Sequence, residues 1–343
     1  VYALLSRILS VLCSVIPVIF FNTGVPGAII GLTLASFGSF LVGMRLLTLP
    51  FKDVTRRKTD LTTADILRFS MPVFSSSLYG FVIGSASQFF VSRYLGVENF
   101  AMFANGYREL PIAGIVIGAV AGILLPEFSR MTKGGSDSKQ YLVLWKNVVL
   151  KSAAVIYPFS LYCCIFAPEI MGVLYGTVYR EAADLFRIVT IINLVRIVPY
   201  GPIMFALGKG KIFAKAHLVT ALLLLGLDFL CVTFFPSLSA IAIIATTTTV
   251  FCLVVLMVST ARLLNTGLSR LMPWKSMFKI LSVSTFSCFL GSCAVNLIGV
   301  TRDFPALLSG FLISIVIYLP LSYIAGINYA RLLKPLVSTN QRK

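Results

Sequence analysis

The stretch "ANGYRELPIAGIVIGAVAGILLP" (Ala104–Pro126) sets Arg108 and Glu109 at the mouth of sixteen apolar or glycine residues, Leu110 to Leu125 with Pro111 among them. In a water-soluble protein such a run would be one buried helix with two surface charges. Whether that holds depends on how much polar surface the rest of the chain supplies. Of the 343 residues, 58% are hydrophobic and only 12% charged, and the mean hydropathy is +0.94. A soluble domain holds about 45–50% apolar and about 25% charged residues. This chain cannot cover a core of its own size with polar side chains, so lipid must be the solvent for most of its surface.

The same run-length pattern repeats. A spanning helix needs about 20 mostly apolar residues, and ten segments qualify: 3–21, 26–47, 70–93, 101–126, 151–174, 186–207, 213–234, 239–261, 277–298 and 305–327. Open strands cannot span lipid and the alternation of a barrel is absent, so the expected fold is an all-α polytopic membrane protein.

The formal net charge is +17. The positive residues lie in short clusters between apolar runs, with no basic face interleaved with aromatic residues in a polar context, which excludes nucleic acid as a partner. Under strict alternation of ten helices, 23 of the 29 Lys and Arg fall on one side. That side is expected to be cytoplasmic, with the first helix running outward and the tail "NYARLLKPLVSTNQRK" inside. The other six are Arg93, Arg108, Arg180, Arg187, Arg196 and Arg302.

The seven cysteines all lie in apolar runs and form no CxxC or Cys/His cluster. They read as small buried hydrophobes. No Walker loop, GxSxG motif or paired metal ligands appear, so no cofactor, metal or catalytic residue is expected. The one histidine, His217, follows Lys215 at a helix end and reads as a wetted interface residue.

The loop "LPFKDVTRRKTDLTTADILRFSMP" (Leu49–Pro72) is the main shift in composition and marks a lobe boundary. Thr62 or Thr63 is placed to cap an interfacial helix ending near Ser70, with Asp65 in its first turn. Small residues recur every fourth position in two segments: Gly114, Gly118 and Gly122, and Gly27, Gly31, Ala35, Ser39 and Gly43. Such stripes predict close helix contacts. Thr246–Thr249 predict a packing and hydrogen-bonding face.

The segment "LRFSMPVFSSSLYGFVIGSASQFFVSRYLGVENFAMFANGYRELP" (Leu67–Pro111) joins a basic approach, "FSMP", an apolar helix with a polar residue near its outer end, "YLG", and an aromatic-rich helix ending in Tyr-Arg and Pro. It resembles the start of the second lobe in the polysaccharide flippases of the MOP superfamily, the Wzx-like exporters of O-antigen and capsule repeat units. "LLPEFSRM" (Leu124–Met131) is similar to the inner end of that family's eighth helix. The resemblance implies fourteen helices, two six-helix lobes plus two, of a MOP/MATE-like bundle. The ten here fit helices five to fourteen, with the first lobe truncated and the second complete. Residues 1–48 are then the last two helices of the first lobe, 49–69 a cytoplasmic basic linker, 70–261 the second lobe, and 262–343 two further helices and a basic tail. The start at Val1, directly before an apolar segment, fits a chain that lacks its first helices. Such a fragment is expected to be inactive alone.

The resemblance further implies a flippase that moves a polyprenyl-pyrophosphate-linked oligosaccharide across the bacterial inner membrane. Its partners would be that lipid, the bilayer and the polymerase and assembly proteins of the same polysaccharide. Many relatives carry an acid near the position of Gln88, so the amide here leaves ion coupling at that position open. A drug/cation antiporter of the same superfamily would favour acids over arginines within the membrane. An integral-membrane glycosyltransferase or polymerase would need a catalytic acid or base and a long outer loop.

Ionisable residues within spanning segments cost at least about 2.5–3.5 kcal/mol at the bilayer centre, so each is a candidate site. Arg196 leads, in "INLVRIVPYGP", with Asn193 and Tyr200 at helical spacing on its face and Pro199, Gly201 and Pro202 set to break the helix. It reads either as substrate-facing or as a buried arginine satisfied by freed carbonyls. Arg108 and Glu109, as i and i+1 neighbours, do not face each other. With Asn105 and Arg93 they form either a polar patch at a cavity mouth or an interface anchor. An arginine suits pyrophosphate because its planar fork donates paired hydrogen bonds. Arg187 is out of phase with Arg196 and reads as an interface residue. Asp228 reads as partner to one of these arginines or as carrier of a coupling proton.

Overall fold

The computed structural model describes residues 2–51, 62–327 and 329, and every regular element among them is helical. The chain forms two compact units, Val1–Thr63 and Ala64–Lys343.

The first unit is a helical hairpin, α1 (Tyr2–Phe21) and α2 (Gly24–Thr48). Asn22 and Gly24, both at positive φ, turn the chain between them. The stripe on α2 makes the contact. A Cβ on Gly31 would fall 1.8 Å from the Cys13 carbonyl oxygen of α1, so the two backbones touch there. The Tyr2 hydroxyl donates to the Ser39 carbonyl beside Gly43. Phe20 is 75% exposed, as befits a side chain whose solvent is lipid.

The second unit holds α3 (Thr63–Tyr94), α4 (Val97–Gly106), α5 (Pro111–Lys133), α6 (Ser138–Ile165) and α7 (Ala167–Tyr175). A 3-10 turn (Thr177–Ala182) leads to three short helices, α8 (Ala183–Thr190), α9 (Ile192–Val195) and α10 (Gly201–Ala206). Then follow α11 (Gly210–Phe234), α12 (Leu238–Leu263), α13 (Leu268–Leu271), α14 (Trp274–Ile298) and α15 (Asp303–Ile324). The core gathers on α6, where Trp145, Val148, Val149 and Ala153 are fully buried. It packs against α14 on one side and against α8 and α9 on the other.

Nine helices among the described residues are long and apolar enough to cross a membrane: α1, α2, α3, α5, α6, α11, α12, α14 and α15. The chain is thus an all-α, multi-pass membrane protein. Three expected segments differ from single spans, each for a local reason. The run 101–126 splits into α4 and α5. Pro111 opens α5 and holds Leu110 extended at φ −65°, ψ 123°, as the residue before a proline must be. The run 151–174 begins earlier, at Ser138, and hands over at Phe166 to α7, which Pro168 initiates. The run 186–207 is not one helix. It breaks at Arg196 (φ −87°, ψ 68°) and resumes at Gly201. The separate interfacial helix expected before Ser70 is absent, because α3 runs unbroken through Pro72. Its 32 residues measure about 48 Å, longer than the ~30 Å hydrocarbon core, so the polar start projects beyond it. Of the expected linker 49–69, residues 52–61 lie outside the described residues, as do 328 and 330–343 of the expected tail.

The two small-residue stripes part company. On α5 a Cβ added at Gly114, Gly118 or Gly122 would meet nothing within 4 Å. That stripe touches no neighbour among the described residues. The close approach lies instead at Gly291 of α14 and Gly310 of α15. A Cβ on Gly310 would fall 2.4 Å from the Phe166 ring, and one on Gly291 would fall 2.2 Å from the Ser314 hydroxyl.

Candidate functional site

Two of these helix breaks face each other. The segment between α4 and α5 presents Tyr107, Arg108 and Glu109, and the segment after α9 presents Arg196. Between them lies a cavity of about 400 Å³. The third wall is α3, where Gly80, Gly84, Ser87 and Gln88 recur at helical spacing. A Cβ at Gly80 or Gly84 would meet nothing within 4 Å, so these two hydrogens keep the space open. α11 contributes His217 and Thr220, and α12 contributes Ala245, Thr249, Cys252 and two leucines.

The two breaks are joined by an ion pair between the Arg196 guanidinium and the Glu109 carboxylate. The side chains are 25% and 45% exposed, so the pair is partly wetted and its two ends are accessible from the cavity. Arg196 Nε is buried and has no hydrogen-bond partner. Arg108 reaches the same cavity and is in no ion pair among the described residues. Beside them the Tyr107 hydroxyl bonds Thr246 Oγ1 at 3.0 Å, and the Tyr107 ring stacks on Phe103 with centroids 5.0 Å apart. These contacts fix the break against α12 and hold Arg108 and Glu109 in place. The other threonines of that run bond carbonyls of their own helix.

Asp228 is fully buried on α11, behind the α3 wall. Ser87 Oγ donates to its Oδ2 at 2.7 Å, while Oδ1 has no hydrogen-bond partner. It touches neither Arg196 nor Arg108. His217 lines the cavity instead of the interface, its ring 4.3 Å from that of Phe213 and its Nδ1 3.0 Å from the Phe213 carbonyl.

Of the residues singled out by sequence, Arg196, Arg108, Glu109 and Gln88 come together on this cavity. Arg93, Asn193 and Tyr200 do not. Arg93 is exposed at the end of α3, five residues beyond Gln88. Asn193 and Tyr200 were placed on the face of Arg196 by helical phase, and that phase is lost where the helix unwinds. Asn193 is fully buried with both amide atoms unpartnered, and Tyr200 packs on Trp145 with centroids 5.4 Å apart. Arg187 bonds Asp184 at 2.8 Å and the Cys164 carbonyl at 3.2 Å, away from the cavity. Tyr107 and Ser87 are not singled out by the sequence, and His217, expected at the interface, lines the cavity. The i, i+4 spacing of Gly80, Gly84 and Gln88, with Ser87 alongside, was the available signal for the α3 wall.

The cavity therefore carries two guanidinium groups, one carboxylate and a rim of hydroxyls. Among the described residues no three His, Cys, Asp or Glu are grouped as metal ligands. This arrangement attracts an anion with several acceptor oxygens and offers hydroxyl partners to polar groups next to it.

The family described as "Polysaccharide biosynthesis protein" matches residues 1–184. No curated protein matches the sequence. Among solved structures, the fold is similar to that of the lipid II flippase MurJ in an inward closed conformation, with a TM-score of 0.61 and 16% identity. The match covers 96% of this chain and 67% of that one.

Proposed function

The chain belongs to the polysaccharide biosynthesis protein family, and from that premise we propose that it moves a polyprenyl-pyrophosphate-linked oligosaccharide across the bacterial inner membrane. The observation that carries this reading is the pair of arginines facing a cavity that also presents hydroxyl and amide side chains inside an apolar helical bundle. Arg196 and Arg108 bind the pyrophosphate as paired donors, Gln88, Ser87 and Thr249 border the sugars, and the lipid stays in the bilayer. The direction is from the side rich in Lys and Arg to the other, with the C-terminus on the starting side.

The MurJ-like fold supports assigning 70–261 to a second six-helix lobe. Residues 1–48 are then the last helices of a first lobe, 49–69 a linker and 262–343 two added helices and a tail. A cationic drug would meet two arginines against one glutamate in this cavity, which disfavours an antiporter for such drugs.

The test is a chromosomal deletion rescued by wild-type or Arg196→Gln genes. The deletion strain should keep making the lipid-linked oligosaccharide but hold it on the inner leaflet, where a lectin applied to spheroplasts cannot reach it. Rescue by wild type but not by Arg196→Gln supports the reading. Loss of the sugar linkages themselves would make the protein a synthase and overturn it.

A further inference from the structure

A second cavity, of about 540 Å³, lies against the first and shares two of its residues, Arg108 and Glu109. Beyond that seam its walls are almost wholly apolar. They come from α6 (Phe159, Tyr162), α7 (Met171, Leu174) and α8 (Phe186). Polar side chains cluster at the shared end, where Asn105 joins the two charged residues. Each cavity lies within the roughly 300–1,000 Å³ of ligand pockets. The cavity that carries the charged and hydroxyl groups and the apolar one thus meet at Arg108 and Glu109. A ligand matching that arrangement has a hydrophilic part, an anionic junction and a hydrocarbon part. The second cavity also sits at the end of the bundle marked by α7 and the start of α15, the end that carries few Lys and Arg.

We propose that this second cavity binds the first isoprenoid units of the lipid carrier at the sparsely charged end of the bundle, with the diphosphate on Arg108 at the seam between the two cavities. This rests on the function proposed above. It assigns to α6, α7 and α8 a hydrocarbon site that is open at the protein surface. Phospholipid would also present a phosphate on hydrocarbon. The isoprenoid is favoured because the first cavity, across the seam, leaves room for a sugar-bearing headgroup.

The test uses the purified full chain in detergent and three probes: inorganic pyrophosphate, farnesyl diphosphate and phosphatidylglycerol. A diazirine on the farnesyl chain should label the peptide holding Met171 and Leu174. Leu174, 65% exposed, tolerates a polar replacement without loss of core packing. Leu174→Asp should weaken farnesyl diphosphate about tenfold, because a carboxylate facing hydrocarbon is left unpaired, and should leave pyrophosphate unchanged. Binding of both diphosphates with labelling elsewhere, or with no effect of Leu174→Asp, overturns the isoprenoid site and spares the proposed function. Equal competition by phosphatidylglycerol makes this a general phospholipid site and also overturns the proposal. Binding of neither diphosphate overturns both. The labelling is read on wild-type protein, so it decides even if the variant fails to fold.

Discussion

Glu109→Gln should tighten the binding of pyrophosphate. In the cavity the Glu109 carboxylate pairs with the guanidinium of Arg196. An incoming diphosphate must displace it and then sit beside it. The pair is partly exposed, and pairs of that kind contribute about 0.2–1 kcal/mol. The displaced carboxylate, left about 6 Å from a unit of phosphate charge in a wet cavity, adds a repulsion of about 0.7 kcal/mol. Glutamine removes both terms while keeping the side chain's shape. The sum, roughly 0.9–1.7 kcal/mol, corresponds to about a five- to eighteenfold lower Kd for pyrophosphate. Equilibrium binding of labelled pyrophosphate to the purified chain, at fixed salt, reads this directly. The effect should shrink to the bare repulsion, about threefold, when Arg196 is also replaced by Gln, since no pair then remains to be broken. An unchanged or weakened affinity in Glu109→Gln would refute the competition argument. So would a full-sized gain in the double variant, which would mean that Glu109 acts without Arg196.

Gly310→Val should lower the thermal midpoint in detergent, because its side chain enters the Phe166 ring; overpacking of this kind costs about 1–3 kcal/mol. Gly118→Val, with nothing within 4 Å of its Cβ, should stay near wild type, and equal losses would refute the packing assignment. Ser87→Ala removes the donor to a fully buried carboxylate and should destabilise by about 1–3 kcal/mol, read as a lower unfolding midpoint; an unchanged midpoint would mean that Asp228 finds another partner. Reporter fusions after Lys209 and after Arg302 should lie on opposite sides of the membrane, with a cytoplasm-dependent fluorophore bright only at the first. A bright signal at both would sink the assignment of orientation.

Length and composition made the helical membrane fold legible, because no other backbone arrangement satisfies its polar groups in lipid. Arg108 and Glu109 do not pair with each other, as expected, but for a different reason: both lie in the non-helical segment between α4 and α5, where Glu109 turns to Arg196. What did not show was any pairing across helices. Arg196 meets Glu109 across 87 positions, and Ser87 meets Asp228 across 141. Local periodicity holds no record of such partners. The glycine stripes make the same point. Those on α2 and α5 have the same spacing, yet Gly31 touches a neighbouring backbone and Gly118 touches nothing. A stripe states that a helix can be approached, and only the tertiary arrangement says by what. Asn193 and Tyr200 failed for a different reason. Pro199 and Pro202 were visible, but the unwinding starts at Arg196, upstream of both, so a helical wheel drawn through 193–200 describes a helix that is not there.

That unwinding also bears on why the charges sit where they do. A proline within a membrane helix frees a carbonyl, and lipid offers it no partner. An arginine within a membrane carries a comparable penalty for leaving water. Both are relieved by the same thing, a wet cavity. Here the break at Pro111 carries Arg108 and Glu109, and the break before Pro199 and Pro202 carries Arg196. Placing the breaks opposite each other lets one cavity hydrate both freed backbones and all three ions. It also leaves the guanidinium groups presented from helix ends, where neither is locked along a helix face. A substrate anion arriving between them meets Arg108, which is in no ion pair among the described residues, and Arg196, held by a single partly exposed carboxylate. Arg196 is thus stable enough to persist in an apolar bundle and weakly enough bound to exchange its partner.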